Sequence, residues 1–369
     1  MVESMRRTSY PARSSGVATD RIPSGAVASV LENAGKKNTT LLDRDRIQLY
    51  LLINPDARDR IVLPPNLFQE TFYPLGFPVV VVSNSPSVLN AAHLEWDAWT
   101  PEFDEPPIVL TYNVSPELAT LPETSEFHAH AHQFAFVADA KNLAICDTNT
   151  RTGVAWITAG AAEDAAYFRY HFLEGMALEL IVSLHLTPFH AGCVARNGRG
   201  VLLCGDSGAG KSSLSYACAR RGWTYVSDDA SYLLRRCAEE KIVLGHSHRV
   251  RLRPDAPRFF PELAQVTPAR RGNGRMSLDV RTHALPTARR TMVDRIAILR
   301  RCDRNALTRV DERAAREICE PIFYWWDARI SADQQRAFDA LLASSEVYTL
   351  EYSDLDRAID LLERDSREQ

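Results

Sequence analysis

The sequence lacks three features that would indicate a secreted or membrane-spanning protein. Its seven cysteines form no CxxC pair and show no regular spacing, which is typical of free thiols in a reducing compartment. The N-terminus has basic residues but no apolar core of signal-peptide length. The most apolar long stretch, residues 176–186, contains Glu179 and His185 and is too short to span a bilayer. We therefore expect a cytoplasmic protein without a membrane partner.

The sequence also lacks an excess of charge of either sign. It contains 43 Lys and Arg residues against 47 Asp and Glu residues, for a formal net charge of -4. Such a balance gives no electrostatic footprint for nucleic acid, so we expect no nucleic-acid partner. Of its 369 residues, 45% are hydrophobic, enough to bury a large core in two domains or one elaborate one. The composition is compatible with a homo-oligomer.

Composition and periodicity divide the chain into three regions. Residues 1–40 are rich in Ser, Arg, Pro, Ala and Gly without periodicity and are predicted to form a disordered tail. Residues 41–185 alternate short apolar runs with turns, as in a mixed, mostly β region, and end in a predicted helix at about residues 161–186. Residues 186–369 carry the chemical signals.

Two helices are predicted near the C-terminus, one over residues 332–342 and a last one that opens at Ser353. Ser353 and Asp356 have the spacing of a capping box, in which a serine hydroxyl and a carboxylate three residues later bind opposite backbone N–H groups. These helices are expected to close the fold.

A glycine-rich stretch at residues 205–212 reads G-D-S-G-A-G-K-S and lies between an apolar strand and a helix-compatible run. It matches the phosphate-loop pattern in full. Its glycines let successive backbone N–H groups turn toward an anion, and the helix N-terminus adds partial positive charge. Lys211 is expected to neutralise the β- and γ-phosphates, and the Ser212 hydroxyl to bind Mg²⁺. The predicted nucleotide-binding residues are Gly205, Asp206, Ser207, Gly208, Ala209, Gly210, Lys211, Ser212 and Ser213.

An Asn-Gly pair lies shortly before this loop. Asn197 and Gly198 separate two apolar runs, which is the strongest short signal for a β-hairpin. If they form the turn, Arg196 pairs with Arg199, and counting outward along both strands brings His190 to the mouth of the phosphate loop. The alternative is a histidine that ends a strand for structural reasons, since a slip of one residue would reverse its direction.

A second strand is predicted after the loop and its helix, over the residues W-T-Y-V. A strand–helix–strand unit of this length makes a right-handed parallel crossover, so the second strand ends at the same sheet edge as the loop. Asp228 and Asp229 follow that strand. Because successive side chains alternate in direction, one acid can face Mg²⁺ while the other faces an acceptor hydroxyl. A pair of solvated turn acids is the alternative.

Together, His190, the loop and the Ser-Asp-Asp stretch that ends at Asp229 resemble the catalytic domain of the HPr kinase/phosphorylase family, over about residues 186–233. The resemblance implies an α/β fold with a P-loop kinase domain of the HPr kinase/phosphoenolpyruvate carboxykinase type. In that domain a hairpin feeds the phosphate loop, and here it would occupy residues 186–369, after the mostly β region.

The resemblance also implies roles for single residues. Asp229 would accept the proton of a serine-type hydroxyl, and Lys211 and His190 would be active-site groups. Ser212 would bind magnesium, and Asp228 is then the candidate for the metal sphere. The implied cofactors are ATP and Mg²⁺.

Two functions follow as hypotheses. The first is a Mg²⁺-dependent kinase that transfers the terminal phosphate of ATP to a hydroxyl of a peptide, a protein or a small molecule. Two downstream segments of the bifunctional enzymes, glutamate-arginine-glycine and proline-glycine-arginine-asparagine, do not occur in this sequence. Their absence motivates the second hypothesis, a nucleotide-binding regulatory protein of the same fold without acceptor turnover.

Three weaker signals allow two interpretations each. Arg249, Arg251 and Arg253 alternate with apolar residues, so they share a strand face that binds phosphates or an acidic acceptor, or is simply solvated. Arginines around Gly272 and Gly274, at positions 270, 271 and 275, form a basic loop that is either an acceptor lid or a surface turn. The stretch F-H-A-H-A-H-Q-F contains His128, His130 and His132, which alternate as on one face of a strand. They could bind a metal, but a polar strand face is the default interpretation.

Overall fold

Three β-sheets, with α-helices packed against them, form the part of the chain that the structure describes. The computed structural model describes residues 67–118, 121–122, 125–270, 276–311, 313, 315–316 and 326–365. The predicted disordered tail at residues 1–40 and most of the basic loop at residues 270–275 lie outside the described residues.

The first sheet has seven strands in the order β1-β2-β3-β7-β6-β5-β4. Two pairs of strands, β2 with β3 and β3 with β7, are parallel. The other pairs of this sheet are antiparallel. Its members are β1 Phe68–Phe72, β2 Val79–Ser83, β3 Ile108–Ser115, β4 Glu126–His130, β5 Gln133–Val137, β6 Leu143–Asp147 and β7 Thr152–Thr158. The described residues of the region predicted to be mostly β hold these seven strands together with the helices given next.

The helices begin and end as follows: α1 Pro86–Trp96, α2 Ala159–Glu163, α3 Ala165–Phe168, α4 Glu174–His185, α5 Lys211–Arg220, α6 Ala328–Ala343 and α7 Leu355–Asp365. No helix in the described part of the chain is long and apolar enough to cross a membrane.

The long helix predicted over residues 161–186 is interrupted. Asp164, with φ −75° and ψ 87°, leaves the helical conformation between α2 and α3, and its carboxylate caps α3 by accepting the Tyr167 N–H. A π-helical turn at Arg169–Leu173 then joins α3 to α4. The apolar spacing predicted the helical character correctly, but a capping aspartate ends one helix and starts the next.

The remaining strands are β8 Leu186–Phe189, β9 Gly192–Arg196, β10 Arg199–Cys204, β11 Thr224–Ser227, β12 Ser231–Leu234, β13 Ile242–Gly245, β14 Arg249–Leu252, β15 Ala269–Arg270, β16 Met276–Arg281, β17 Arg290–Arg301, β18 Ala306–Arg309 and β19 Glu346–Tyr352. β14, β16 and β15 form a small sheet in that order. The other nine form the second large sheet, in the order β11-β9-β10-β17-β13-β12-β8, with β19 paired to β17 and β18 to β19.

The centre of the second sheet is parallel. β10 pairs with β17, and β17 with β19, in parallel registers that set Cys204 beside Ile298 and Arg301 beside Tyr352. The carboxyl ends of these three strands therefore lie at one sheet edge, where α/β folds place their ligands. The combination of parallel strands and covering helices is an α/β fold, as the sequence predicts.

Apolar side chains cover both faces of this sheet. On one face, Leu203 of β10 packs in a buried cluster with Leu214 of α5 and Ile359 of α7. On the opposite face, Leu202 packs in a second buried cluster with Phe338 of α6. Adjacent residues of β10 thus enter different clusters, which fixes the strand register and with it the position of the loop that follows.

The two C-terminal helices form as predicted, but the cap of the last one differs. The α6 helix spans the predicted residues 332–342 and starts one turn earlier, after the capping side chain of Asp327. For α7, Asp354 Oδ1 accepts the Arg357 N–H at 2.9 Å. The Ser353 hydroxyl instead donates to Asn305 Oδ1 at 3.2 Å, so the predicted capping box on Ser353 is wrong by one residue.

We expect Asp354→Ala to lower the free energy of unfolding by about 1 kcal/mol, because the substitution removes the side-chain acceptor of an N-terminal helix N–H. Ser353→Ala, the matched control, removes the exposed hydrogen bonds of this hydroxyl with Asn305 and with Asp354 Oδ2 but leaves the bond from the Arg357 N–H to Asp354 Oδ1 in place, so it should have the smaller effect. Urea unfolding of both variants measures the difference. A larger loss for Ser353→Ala would contradict the cap assignment.

Candidate active site

The predicted hairpin forms with the predicted register. Arg196 of β9 pairs with Arg199 of β10, and the pairing continues to Gly192 and Leu203. At the turn, Asn197 has φ 53° and Gly198 has φ 78°. Two successive positive φ values are the requirement of the tight hairpin turn that Asn-Gly favours. The hairpin therefore delivers β10 into the phosphate loop, as the sequence predicts.

The loop between β10 and α5 uses its glycines for backbone conformation. Gly205, Gly208 and Gly210 have φ values of 144°, 94° and 101°, a region that side-chain-bearing residues rarely adopt. A Cβ on Gly210 would lie 2.2 Å from the hydroxyl oxygen of Tyr352. Position 210 therefore requires glycine for two reasons: its positive φ, and the lack of space for a side chain.

The predicted nucleotide-binding residues are contiguous at the start of α5. Asp206, Ser207 and Gly208 are exposed at the loop tip, and the Ala209 N–H donates to the Asp206 carbonyl at 3.0 Å. The helix begins at Lys211. Ser212 and Ser213 follow in its first turn, where backbone N–H groups have no partner within the helix and are available to an anion.

Lys211 is buried beneath the loop that precedes it. Only 5% of the residue is exposed, and its ammonium donates to the carbonyl oxygens of Gly205 at 2.8 Å and Asp206 at 3.2 Å. These two hydrogen bonds hold the Lys211 ammonium against the loop. A polyphosphate on the loop would meet this ammonium together with the helix N-terminus.

The strand after α5 reaches the same sheet edge. β11 pairs antiparallel with β9, and β9 antiparallel with β10, so β11 runs parallel to β10. The predicted parallel crossover is confirmed, with β9 lying between its two strands. Asp228 follows β11 directly, and its carbonyl oxygen accepts the Ser212 hydroxyl at 3.5 Å.

The Asp228 carboxylate is buried and hydrogen-bonded through both oxygens. The Tyr225 hydroxyl donates to Oδ1 at 3.1 Å, and the Arg251 backbone N–H donates to Oδ2 at 2.9 Å. Burial, followed by the neighbouring Asp229, raises the pKa of Asp228 to about 6 from an ordinary 3.8. The two donors oppose this rise by stabilising the carboxylate.

Asp229 has a different environment from its neighbour. Its side chain is 44% exposed, and its Oδ1 lies 3.2 Å from Nδ1 of His190, whose own side chain is only 6% exposed. His190 follows β8 in the chain, and the β9–β10 pairing ends at Gly192 and Leu203, so the structure sets this histidine beside Asp229, while its predicted position at the mouth of the phosphate loop stays a prediction. An accessible carboxylate beside an enclosed imidazole suits proton transfer from an approaching group.

These groups fit a magnesium–nucleotide complex. Mg²⁺ in such sites takes one or two protein ligands and completes its shell with phosphate oxygens and water. The Ser212 hydroxyl lies beside the backbone carbonyl of Asp228. Ser212 and Asp228 are the residues that would hold the ion, and the loop would hold the phosphates. Among the described residues, no group of three or more His, Cys, Asp or Glu side chains is arranged for a metal.

Arg249 and Arg251 lie on β14 and share a face, as predicted, whereas Arg253 lies just beyond the end of the strand. Val250 and Leu252 belong to the buried apolar cluster on the other side of the strand. Arg249 is only 7% exposed and lies 3.4 Å from Asp279, so a fully solvated face is wrong for this residue. Arg253 is exposed, and its Nη2 lies 3.5 Å from the position that a Cβ on Gly208 would take. This places the last arginine against the phosphate loop.

The sequence did not indicate two tyrosines that support the site. Tyr225 bonds to Asp228, as described, and the Tyr352 hydroxyl donates to the Ala209 carbonyl within the loop. Both come from strands other than β10, at the same sheet edge. Their roles depend on pairing between distant segments, for which a single sequence carries no signal.

The three histidines of the first sheet do not share a strand face. β4 ends at His130, and Ala131, with φ 51°, begins the turn that contains His132. His128 lies 3.2 Å from Glu126, and His132 lies 3.5 Å from Asp147. The turn explains the error, since the alternating pattern continues past the end of the strand.

Comparison with known proteins finds little similarity. No family model matches the chain, and no curated protein matches it. Among solved structures, the chain is similar to the Hpr(Ser) kinase/phosphatase from Coxiella burnetii, with 14% identity, a TM-score of 0.27, and coverage of 49% of this chain and 97% of that chain. Likeness at this level carries no inference about chemistry, which rests on the site itself.

We expect Asp228 to make stability depend on pH. Because its pKa is raised to about 6 in the folded state, the folded protein holds an extra proton between the ordinary pKa and 6, and stability falls as pH rises through that window. Asp228→Asn removes this titration, so wild type should lose about 2 kcal/mol relative to the variant between pH 4 and pH 7.

Urea unfolding at both pH values measures this difference. The matched control is Asp104→Asn, at an exposed aspartate of the same chain. A stability difference between wild type and Asp228→Asn that does not change with pH would contradict the account of Asp228.

Proposed function

We propose that the protein is a Mg²⁺-dependent kinase that transfers the terminal phosphate of ATP to a hydroxyl group of a peptide, a protein or a small molecule. The observation that carries the proposal is the approach of the phosphate loop to the paired acids, with the Ser212 hydroxyl 3.5 Å from the Asp228 carbonyl oxygen. Donor-binding and acceptor-activating groups thereby share one sheet edge. In this proposal residues 186–369 are a P-loop kinase domain of the HPr kinase/phosphoenolpyruvate carboxykinase type.

The donor half of the reaction belongs to the loop and to α5. The first-turn N–H groups of α5 and the Lys211 ammonium bind and orient the β- and γ-phosphates. Ser212 and Asp228 would hold Mg²⁺, which when bound would neutralise charge on the phosphate oxygens. Phosphoryl transfer depends mainly on such positioning and charge neutralisation.

The acceptor half belongs to Asp229 and His190. Asp229 accepts the proton of the acceptor hydroxyl while that oxygen forms a bond to the γ-phosphorus, and the bond from phosphorus to the β–γ bridging oxygen breaks. The products are a phosphate monoester, ADP and a protonated Asp229. His190, 3.2 Å from Asp229, orients this carboxylate toward the acceptor.

Lys211→Ala is expected to abolish phosphoryl transfer, because the γ-phosphate loses its main cationic partner. Incubation with γ-labelled ATP and a cell extract, followed by detection of labelled acceptors, measures the activity. The control is Lys241→Ala, whose ammonium binds the Ser344 carbonyl at 2.8 Å in another part of the structure. Wild-type labelling by Lys211→Ala would exclude this loop as the donor site.

Asp229→Asn separates the kinase from a nucleotide-binding regulator. The substitution preserves shape and should leave Mg²⁺–nucleotide affinity intact while slowing transfer by roughly a hundred- to ten-thousand-fold, as expected for loss of a general base. Asp228→Asn should instead weaken Mg²⁺-dependent nucleotide binding. Calorimetric affinities with and without Mg²⁺, measured beside labelling, distinguish the two effects.

Each contrary result has a definite meaning. Unchanged transfer by Asp229→Asn would overturn the assignment of the base. Loss of nucleotide binding in Asp229→Asn alone would exchange the roles of the two acids. Tight nucleotide binding by wild type with no labelled acceptor in any extract would favour the regulatory protein.

A further inference from the structure

A small aromatic and cationic surface lies next to the phosphate loop and takes no part in the proposed transfer. It consists of the exposed side chains of Phe259 and Arg301, which we call the ring surface, and it lies against the buried ring of Tyr352. Arg301 and Tyr352 end the parallel strands β17 and β19, and Phe259 follows a short 3₁₀ turn at Ala256–Arg258. These three side chains therefore lie beside the loop at the carboxyl edge of the sheet.

Arg301 connects the ring surface to the loop. The centre of its guanidinium lies 5.6 Å from the ring centroid of Phe259 and 5.8 Å from that of Tyr352, distances at which cations are attracted to aromatic faces. Its Nε lies 3.7 Å from the position that a Cβ on Gly210 would take. One exposed arginine therefore touches the loop on one side and an aromatic ring on the other.

Phe259 is exposed but firmly held. It is 48% exposed, whereas Phe260 beside it is 2% exposed. The Phe260 ring packs edge-on against Tyr216 of α5 at 4.8 Å between centroids, and the N–H groups of both phenylalanines donate to the Ala256 carbonyl at 2.9 Å. A large apolar ring is thereby presented to solvent on a rigid turn, next to a planar cation.

We propose that the ring surface binds the nucleobase of the nucleotide whose phosphates occupy the loop, an inference that rests on the proposed function. Every nucleobase has flat faces that stack on aromatic rings and on guanidinium planes. Phe259 and Arg301 supply both kinds of plane beside the loop, so the base stacks on them while the polyphosphate extends to Lys211. Phe259 is a binding residue that contributes to nucleoside affinity and not to phosphate affinity.

Two probes separate these contributions. A non-hydrolysable ATP analogue carries base and phosphates, and inorganic tripolyphosphate carries the phosphates alone. Calorimetry with Mg²⁺ should show that Phe259→Ala weakens analogue binding by about fivefold or more, the loss expected from one base stack, and leaves tripolyphosphate affinity unchanged. Phe259→Trp should restore analogue binding. The matched control is Phe68→Ala, at a ring 43% exposed on β1 of the other large sheet.

The outcomes distinguish this inference from the proposed function. If wild type binds both probes and Phe259→Ala binds the analogue as tightly as wild type, the ring surface does not bind the base and the kinase proposal stands. Equal losses for both probes would make Phe259 a structural residue and overturn the inference likewise. A wild-type protein that binds neither probe would overturn the proposed function and this inference with it.

Discussion

The position of β10 is the constraint on which the candidate site depends. This strand is held on one side by antiparallel β9 and on the other by parallel β17, and its alternate side chains enter two different buried clusters. It therefore cannot shift by one residue without turning apolar side chains to the wrong face. Its carboxyl end, and the glycine-rich turn that follows, are fixed in space before any ligand arrives.

A network of buried charge extends from this edge toward the first sheet. Glu95 of α1 contacts Arg249 of β14 and lies 3.1 Å from Arg169. Arg249 also lies 3.9 Å from Glu174 of α4, and the next arginine along the strand binds Asp228 through its backbone. Buried charges are tolerated only when they are paired. The helices packed on the first sheet thus support the strand that orients one of the two acids.

The fold near the loop was predictable because its signals are local. Asn197 and Gly198 indicated the turn and the register of β9 with β10. The length of the strand–helix–strand unit indicated that β11 runs parallel to β10. The position of Asp228 and Asp229 at the end of β11 followed from this geometry. Local patterns were also where prediction failed: the Ser353 cap was wrong by one residue, and the histidine alternation ran past the end of β4 at His130.

The supporting contacts were not predictable from the sequence. Tyr225, Arg251, Arg301 and Tyr352 come from β11, β14, β17 and β19, which belong to two different sheets. Sequence periodicity indicates which face of a strand is apolar, but it does not indicate which strand lies next to which. The raised pKa of Asp228 follows from these contacts and from burial, so it too required the structure.

A crystal structure of the protein with Mg²⁺ and a non-hydrolysable ATP analogue tests the central claim most directly. We predict that the triphosphate lies on residues 205–212, Mg²⁺ on the Ser212 hydroxyl, and the γ-phosphate between Lys211 and Asp229, with room beside Asp229 for an acceptor hydroxyl. A nucleotide bound elsewhere on the chain, or a γ-phosphate directed away from both acids, would contradict it.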